Sequence, residues 1–402
     1  MNVKLQNKLI LSIDKFNDWF GSFGELSYDR MDYWSSKTGK LAKRLYYRNK
    51  LLGSPFALLG LLLENFFPGV QKFFAKPHRE IIGDGHFASA YLNMYEYSND
   101  VKYLEEAERF LEVIKTTSSI GYSGSCWGYT FGWETSNGYW APGIPLITIT
   151  PYAFWAFIQH YKLTNNESSK EIALSIADFA LKDLKEIKMP NGTICASYSP
   201  VSEDIVINAN TYRAAVLLDA YQLSGNEKYK EVAMRNIRFV LSYQGDAGEW
   251  YYEAKGSKDN FIDNFHTCFV LRNLYYCYLV TKDEDILHAV KKGYQYYLTN
   301  LFHENGRPKH FAIAKYAKLR KYEMYDYAEG ITLGILLKND IPGALDKAKW
   351  LADDLIDNFQ TKKGYFITRV TSLGTKHKVP YLRWPQAQLY YALTSLLKEL
   401  KN

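Results

Sequence analysis

The four cysteines, Cys126, Cys195, Cys268 and Cys277, stand far apart and none belongs to a CxxC pair, so the sequence offers neither a disulfide framework nor a zinc cage. No HExxH occurs and no two histidines fall at ligand spacing on one helix, so no metal site and no cofactor are expected. Blocks of five or six like charges are also missing. The net charge of +6 is dispersed, with Lys and Arg interleaved with Glu and Asp, which argues against a nucleic-acid partner. The first residues, MNVKLQNKLILSIDKFNDWF, lack an uninterrupted apolar core and a small-residue cleavage site, so no signal peptide and a cytoplasmic location are expected. The most apolar stretch, residues 51–74, is broken by Gly53, Pro55, Glu64, Asn65, Pro68 and Gly69. Its longest uncharged part, 51–63, is too short to span a bilayer and reads as a buried helix. Contact with the inner membrane face, or with a lipid-linked glycan there, is the alternative reading.

What is present in abundance is aromatic: 16% of the chain, including 34 Tyr and 9 Trp, within a hydrophobic fraction of 47% and a charged fraction of 23% that suit a globular protein. Five times, a short polar signal separates two helical patterns: YSND at 97–100, LTNN at 163–166, LSGN at 223–226, VTKD at 280–283 and LKND at 337–340. Each is followed by a one-sided amphipathic run, such as the stripe Tyr229, Val232, Ala233, Ile237 and Val240. Each is preceded by a run that is apolar nearly all round, such as TYRAAVLLDAYQL. A recurrence of about 60 residues with this alternation describes a repeat of helix hairpins.

The hairpins fall at 84–117, 150–187, 210–243, 265–300 and 327–359, and a sixth inner helix, 385–400, has no following partner. A helix over residues 3–20, with its stripe Leu5, Leu9, Ile13, Phe16 and Phe20, can supply that partner and close a ring. The expected fold is therefore all-α: an (α/α)6 toroid formed by residues 1–402 as one domain, with residues 25–80 as a covering segment. Linkers of about 15 to 30 residues between hairpins, several with strand-like alternation, predict short β-hairpin loops gathered on one face, where function usually sits. Local positive surpluses at 307–321 and 376–378 suit an anionic substrate.

Aligned on the hairpins, all six inner-helix starts carry polar groups: Asp84 and His86; Thr150 and Tyr152; Asn208, Asn210 and Tyr212; Asp263 and His266; Asp326 and Glu329; Arg383, Gln386 and Gln388. Capping explains Asp84, Thr150, Asn208, Asp263 and Asp326 equally well. It does not explain the groups further along each helix, which are expected to face a common cavity. The loops CWGYTFGWE and EWYYE place Trp127, Trp133 and Trp250 beside carboxylates, as in sites where aromatic rings stack on sugars and polar groups bind hydroxyls.

The segments CWGYTFGWE, DNFHTCFVL and RWPQAQLYYAL resemble repeat-start motifs of VpsJ-like polysaccharide-biosynthesis proteins, from about residue 80 to the end. The resemblance implies a six-hairpin glycosidase-like toroid and a role in surface polysaccharide metabolism, and carries over no catalytic residue.

Three chemistries suit such a cavity. A glycoside hydrolase, slightly favoured, would use Glu329 as acid, its pKa raised by burial, with Asp263, Asp84 or Asp326 as base. A lyase or uronate C5-epimerase would exchange a proton through Tyr212, Tyr152 or His266 and hold the substrate carboxylate with Arg383, Asn210 and Gln386. A non-catalytic glycan-binding component would use the aromatic rim alone. The expected partner in all three is an oligosaccharide or polysaccharide, acidic in the second.

Overall fold

The structure is a computed structural model that describes residues 2–135, 138–254, 256, 260–314 and 320–401. It opens with a long helix, α1 (Asn2–Phe23), and a covering group, α2 (Asp32–Ser35), α3 (Lys37–Arg48) and α4 (Lys50–Phe66). The repeats follow as inner and outer helices: α5 (Ile81–Ser98) with α6 (Val101–Thr116), α7 (Thr150–Thr164) with α8 (Glu167–Lys182), and α9 (Ile207–Ser224) with α10 (Glu227–Ser242). The remaining ones are α11 (Asn264–Thr281) with α12 (Glu284–Asn300), α13 (Met324–Leu336) with α14 (Ala344–Phe359), and α15 (Ala387–Glu399). Each odd-numbered helix from α5 packs on the next, and α15 returns onto α5. Helix α1 lies against α14 and α15, with Leu5, Leu9, Ile13, Phe16 and Phe20 all buried. The ring closes as an (α/α)6 toroid.

Local chemistry explains the hairpins. Asn99, Asn165, Gly225 and Lys282 end their inner helices in the left-handed conformation, with φ of 57°, 57°, 69° and 55°. The next residue in each case, Asp100, Asn166, Asn226 or Asp283, caps the following outer helix by accepting a backbone N–H. Chain reversal thus takes two residues, a C-cap and an N-cap back to back. The fifth signal departs from this: α14 begins only after Pro342, with Gly343 as a cap that has no side chain to offer. The inner helices are buried all round; α9 is buried at every position from Ile207 to Leu218.

The loops on one face carry two-stranded antiparallel ribbons, β1 (Trp133–Thr135) with β2 (Gly138–Trp140) and β3 (Glu186–Lys188) with β4 (Ile194–Ala196). There also β5 (Ile262–Asp263) pairs with β6 (Phe311–Ile313), and β7 (Arg320–Glu323), β8 (Arg369–Thr371) and β9 (Lys376–His377) form a three-stranded sheet. Three inner-helix side chains hold these loops in the same way. Thr150 bonds both the N–H and the C=O of Trp127, Asn210 those of Ala196, and Gln386 those of Phe366. Each clamp satisfies two buried backbone groups at once.

One expectation is corrected. Residues 51–63 form most of α4, which is buried on one face only: Leu51, Leu52, Phe56, Leu58, Leu59 and Leu62 are exposed. The helix is held to the protein by its other face, where Gly53 lies against the backbone of Tyr46 and Gly60 against the rings of Tyr33 and Trp34.

Gln386→Ala leaves both backbone groups of Phe366 without partners. Chemical denaturation is expected to show a loss of about 2–4 kcal/mol, in a protein whose small-ligand affinity per folded molecule is unchanged.

Candidate functional site

The inner-helix starts, the ribbon loops and the covering helices enclose a cavity of about 810 Å³. Its aromatic walls are built as stacked pairs. Trp140 lies on Tyr198 with ring centroids 5.9 Å apart, Tyr252 on Phe261 at 4.8 Å, and Tyr325 on Trp384 at 4.0 Å with the planes 8° apart. At least one ring of each pair faces the cavity.

On one wall, Asp263 performs two tasks. Its Oδ1 accepts the backbone N–H of His266 at 3.0 Å, capping α11, and its two oxygens lie 2.9 and 2.8 Å from His266 Nδ1. The imidazole is packed against Tyr252 and Phe265, with ring centroids 4.7 and 4.2 Å away. Nδ1 is committed to Asp263, so Nε2 is the nitrogen that can exchange a proton with a cavity ligand. Thr267 Oγ1 donates to the Asp263 carbonyl at 2.6 Å and steadies the same turn.

A second Asp–His pair stands deeper. His310 Nδ1 lies 2.8 Å from Asp326 Oδ2, and Arg320 Nη1 lies 3.0 Å from His310 Nε2. A guanidinium only donates, so Nε2 accepts and the neutral ring donates through Nδ1 to Asp326. Burial, with Arg320, Arg30 and Arg369 nearby, drives the His310 pKa well down, which keeps it neutral. Burial and the neighbouring Glu323 and Asp263 push the Asp326 carboxyl up.

The cavity lining carries both signs: Asp204, Glu253 and Asp263 are its carboxylates, and a cluster of cations supplies the other. Arg30, Arg320 and Arg369 surround Glu64 and Glu323, three guanidinium groups to two carboxylates, with Arg30 2.9 Å from Glu64 and Arg369 3.3 Å from Glu323. Arg30 and Arg320 line the cavity. Burial and the adjacent Arg369 and Arg30 lower the Arg320 pKa to about 9. Lys43 sits 3.1 Å from the centroid of the Trp133 ring, and burial brings its ammonium down to about 7.

Of the residues singled out from sequence, Trp133, Tyr152, Asn208, Asp263, His266 and Arg383 line this cavity, with Arg383 ion-paired to Asp29 at 2.6 Å. Tyr152 also lines a second cavity of about 770 Å³ at the opposite mouth, as does His86, whose Nδ1 bonds the Ile82 carbonyl. Between the two runs a buried chain: Tyr152 to Tyr212 at 2.6 Å, Tyr212 to Arg272 at 3.0 Å, and Arg272 to Glu329 at 2.7 Å. Burial pushes the Glu329 carboxyl up against the pull of Arg272.

The others are held elsewhere. Asp84 pairs with Arg79 at 2.9 Å, and burial lifts its pKa to about 6. Trp127 and Trp250 donate their indole N–H groups to Ile114 and Val240 at the ends of outer helices. Asn210 and Gln386 are the loop clamps, and Gln388 donates to the Arg383 carbonyl. Asp326 faces His310. His310 and Arg320 were missed as individuals; the signal that located them was the positive surplus at 307–321, of which 315–319 lie outside the described residues.

No family model matches the sequence and no curated protein matches it. Solved structures do. A cellobiose 2-epimerase from Spirochaeta thermophila superposes with a TM-score of 0.62 at 12% identity, covering 80% of this chain and 86% of that one. A family 76 α-mannanase from Bacteroides thetaiotaomicron gives 0.60 at 14% identity, covering 81% and 88%. An unsaturated glucuronyl hydrolase from Streptococcus agalactiae gives 0.59 at 11% identity, covering 99% and 92%. At these identities the likeness establishes the toroid fold, which hosts hydrolysis and epimerisation alike.

Lys43 is charged below about pH 7 and neutral above it. Its ammonium faces the Trp133 ring, so the tryptophan fluorescence of the protein is expected to change with a midpoint near pH 7. Lys43→Met is expected to abolish that transition.

Proposed function

We propose that the protein is a carbohydrate-active enzyme that moves a proton at the carbon beside the carboxylate of an acidic sugar, as a lyase or a C5-epimerase. The observation that carries this reading is His266, oriented by Asp263 on the wall of an aromatic cavity that also presents Arg30 and Arg320. In the reaction, His266 Nε2 takes the C5 proton and the electron pair spreads into the sugar carboxylate. The cationic cluster stabilises that charge without reorganising. The protonated His266 then returns its proton to the oxygen leaving C4, giving a 4,5-unsaturated product and a free hydroxyl on the departing sugar. In epimerisation C5 instead takes a proton from water on the other face, and His266 gives its own to solvent. Stacked rings such as Tyr325 and Trp384 offer flat surfaces for the sugar. The VpsJ-like resemblance supports a surface polysaccharide, or its precursor, as the source of the substrate.

Hydrolysis, the chemistry first favoured, requires a carboxyl pair across the substrate. Glu329 is tied to Arg272, which weakens its candidacy as the acid. Asp204 and Glu253 line the cavity and keep hydrolysis as the second reading.

The experiment is turnover of a panel of uronate-containing and neutral oligosaccharides by the native chain, His266→Ala, and the pair Asp204→Asn and Glu253→Gln. Absorbance of the unsaturated product or C5 deuterium uptake from heavy water reports proton abstraction; new reducing ends alone report hydrolysis. His266→Ala is expected to lose about 100- to 10,000-fold in kcat on uronates. Full activity in His266→Ala, with loss in Asp204→Asn or Glu253→Gln, overturns this reading in favour of hydrolysis.

A further inference from the structure

The outward face of α4 has no partner within the chain. Leu51 is 85% exposed, Leu52 64%, Phe67 62% and Phe73 75%, and Phe56, Leu58, Leu59 and Leu62 are each more than 40% exposed. At about 100° per residue, the six exposed apolar positions of α4 from Leu51 to Leu62 share one arc of about 160°. No charged residue occurs between Lys50 and Glu64. The orientation is enforced from behind: Gly53 and Gly60 pack close on α3 and on Tyr33 and Trp34, and Glu64 is drawn into the buried arginine cluster.

Charge says what covers this face. Residues 37–76 contain eight Lys and Arg and one acid, Glu64, which is buried. Lys37 and Arg48 are exposed at the ends of α3, Lys72 and Lys76 on the segment after α4, and Lys72 Nζ lies 5.1 Å from the Phe73 ring centroid. Exposed apolar side chains flanked along the chain by cations suit the interface of an anionic bilayer, where the former enter the acyl boundary and the latter meet the headgroups. A second copy of the same face would oppose cations to cations. Among the described residues no helix is long and apolar enough to cross a membrane, so this helix would lie in the interface plane.

We propose that α4 and the turn after it dock the protein on an anionic membrane surface. The same two helices reach the mouth: Lys43, Tyr46 and Tyr47 of α3 and Leu61 and Asn65 of α4 line the cavity. Docking therefore brings the helices that form one wall of the cavity to the lipid surface, and it stands whether or not the cavity is catalytic.

The test is flotation of the full chain with vesicles of phosphatidylcholine containing about 30 mol% phosphatidylglycerol, against phosphatidylcholine alone. The native chain is expected to float with the anionic vesicles and to be released by high salt. Leu52→Glu with Leu59→Glu is expected to lower binding about tenfold or more with an unchanged circular dichroism spectrum. Lys72→Glu with Lys76→Glu, on an exposed turn, serves as an independent variant and is expected to weaken anionic-vesicle binding alone. A native chain that stays in the soluble fraction, or a leucine variant that floats as well as native, overturns the proposal. So does light scattering that shows a native dimer made monomeric by the leucine changes without any flotation. Flotation without turnover of any glycan supports the docking and counts against the catalytic reading, so the two failures are distinct.

Discussion

A carboxylate taken out of water must be neutralised, and the structure is arranged around one that is. Glu64 is buried among Arg30, Arg320 and Arg369, and their charges draw its pKa far below the ordinary carboxylate range. Removing one partner from such a set strands a buried charge, at a cost of about 3–5 kcal/mol. The partners come from three distant parts of the chain, so the cluster ties the covering helices to β7 and β8 of the ring. It also leaves one guanidinium in excess over Glu64 and Glu323, and two of the three line the cavity. The polarity of the mouth and the seating of α4 thus share a cause.

The polar groups at the inner-helix starts divide into two kinds of work. Thr150, Asn210 and Gln386 turn away from the cavity and hold the backbone of the preceding loop, where an unpaired N–H or C=O is expensive. Asp263 caps its helix and aims His266 in the same geometry. Capping and chemistry are alternatives when read from sequence; at Asp263 the cap and the contact that orients His266 are one arrangement. A cap is a rigid position, and a rigid position suits an acid–base group that must stay within hydrogen-bond reach of its substrate.

Much of the fold was legible. Four polar signals resolve into a left-handed C-cap followed at once by an N-cap, and the stripe Leu5 to Phe20 found its place as the sixth outer helix. The fifth signal was legible as an interruption but not in its detail, because Pro342 and Gly343 build a different turn. The site was legible in part. Tyr152, Asp263, His266 and Arg383 face the mouth as expected, whereas Tyr212 and Glu329 lie in the buried chain below it. Trp127 and Trp250 are fixed by their indole N–H groups, a use of tryptophan that sequence does not distinguish from sugar stacking. Helix α4 misled for a related reason: apolarity without charge reads as burial, and only its contacts reveal which face is covered.

The sequence by itself determined the helix hairpin, its recurrence and the side of the ring on which the loops gather, because caps, apolar periodicity and linker lengths are local properties. Tertiary structure alone decided which polar groups share a cavity. A helix that is apolar all round has no sequence-visible inward direction, so its rotation is set by neighbours on both sides once the ring closes. The charge of the mouth was decided there too, since Arg30, Glu64, Arg320 and Arg369 lie far apart in the chain and meet only in the folded protein.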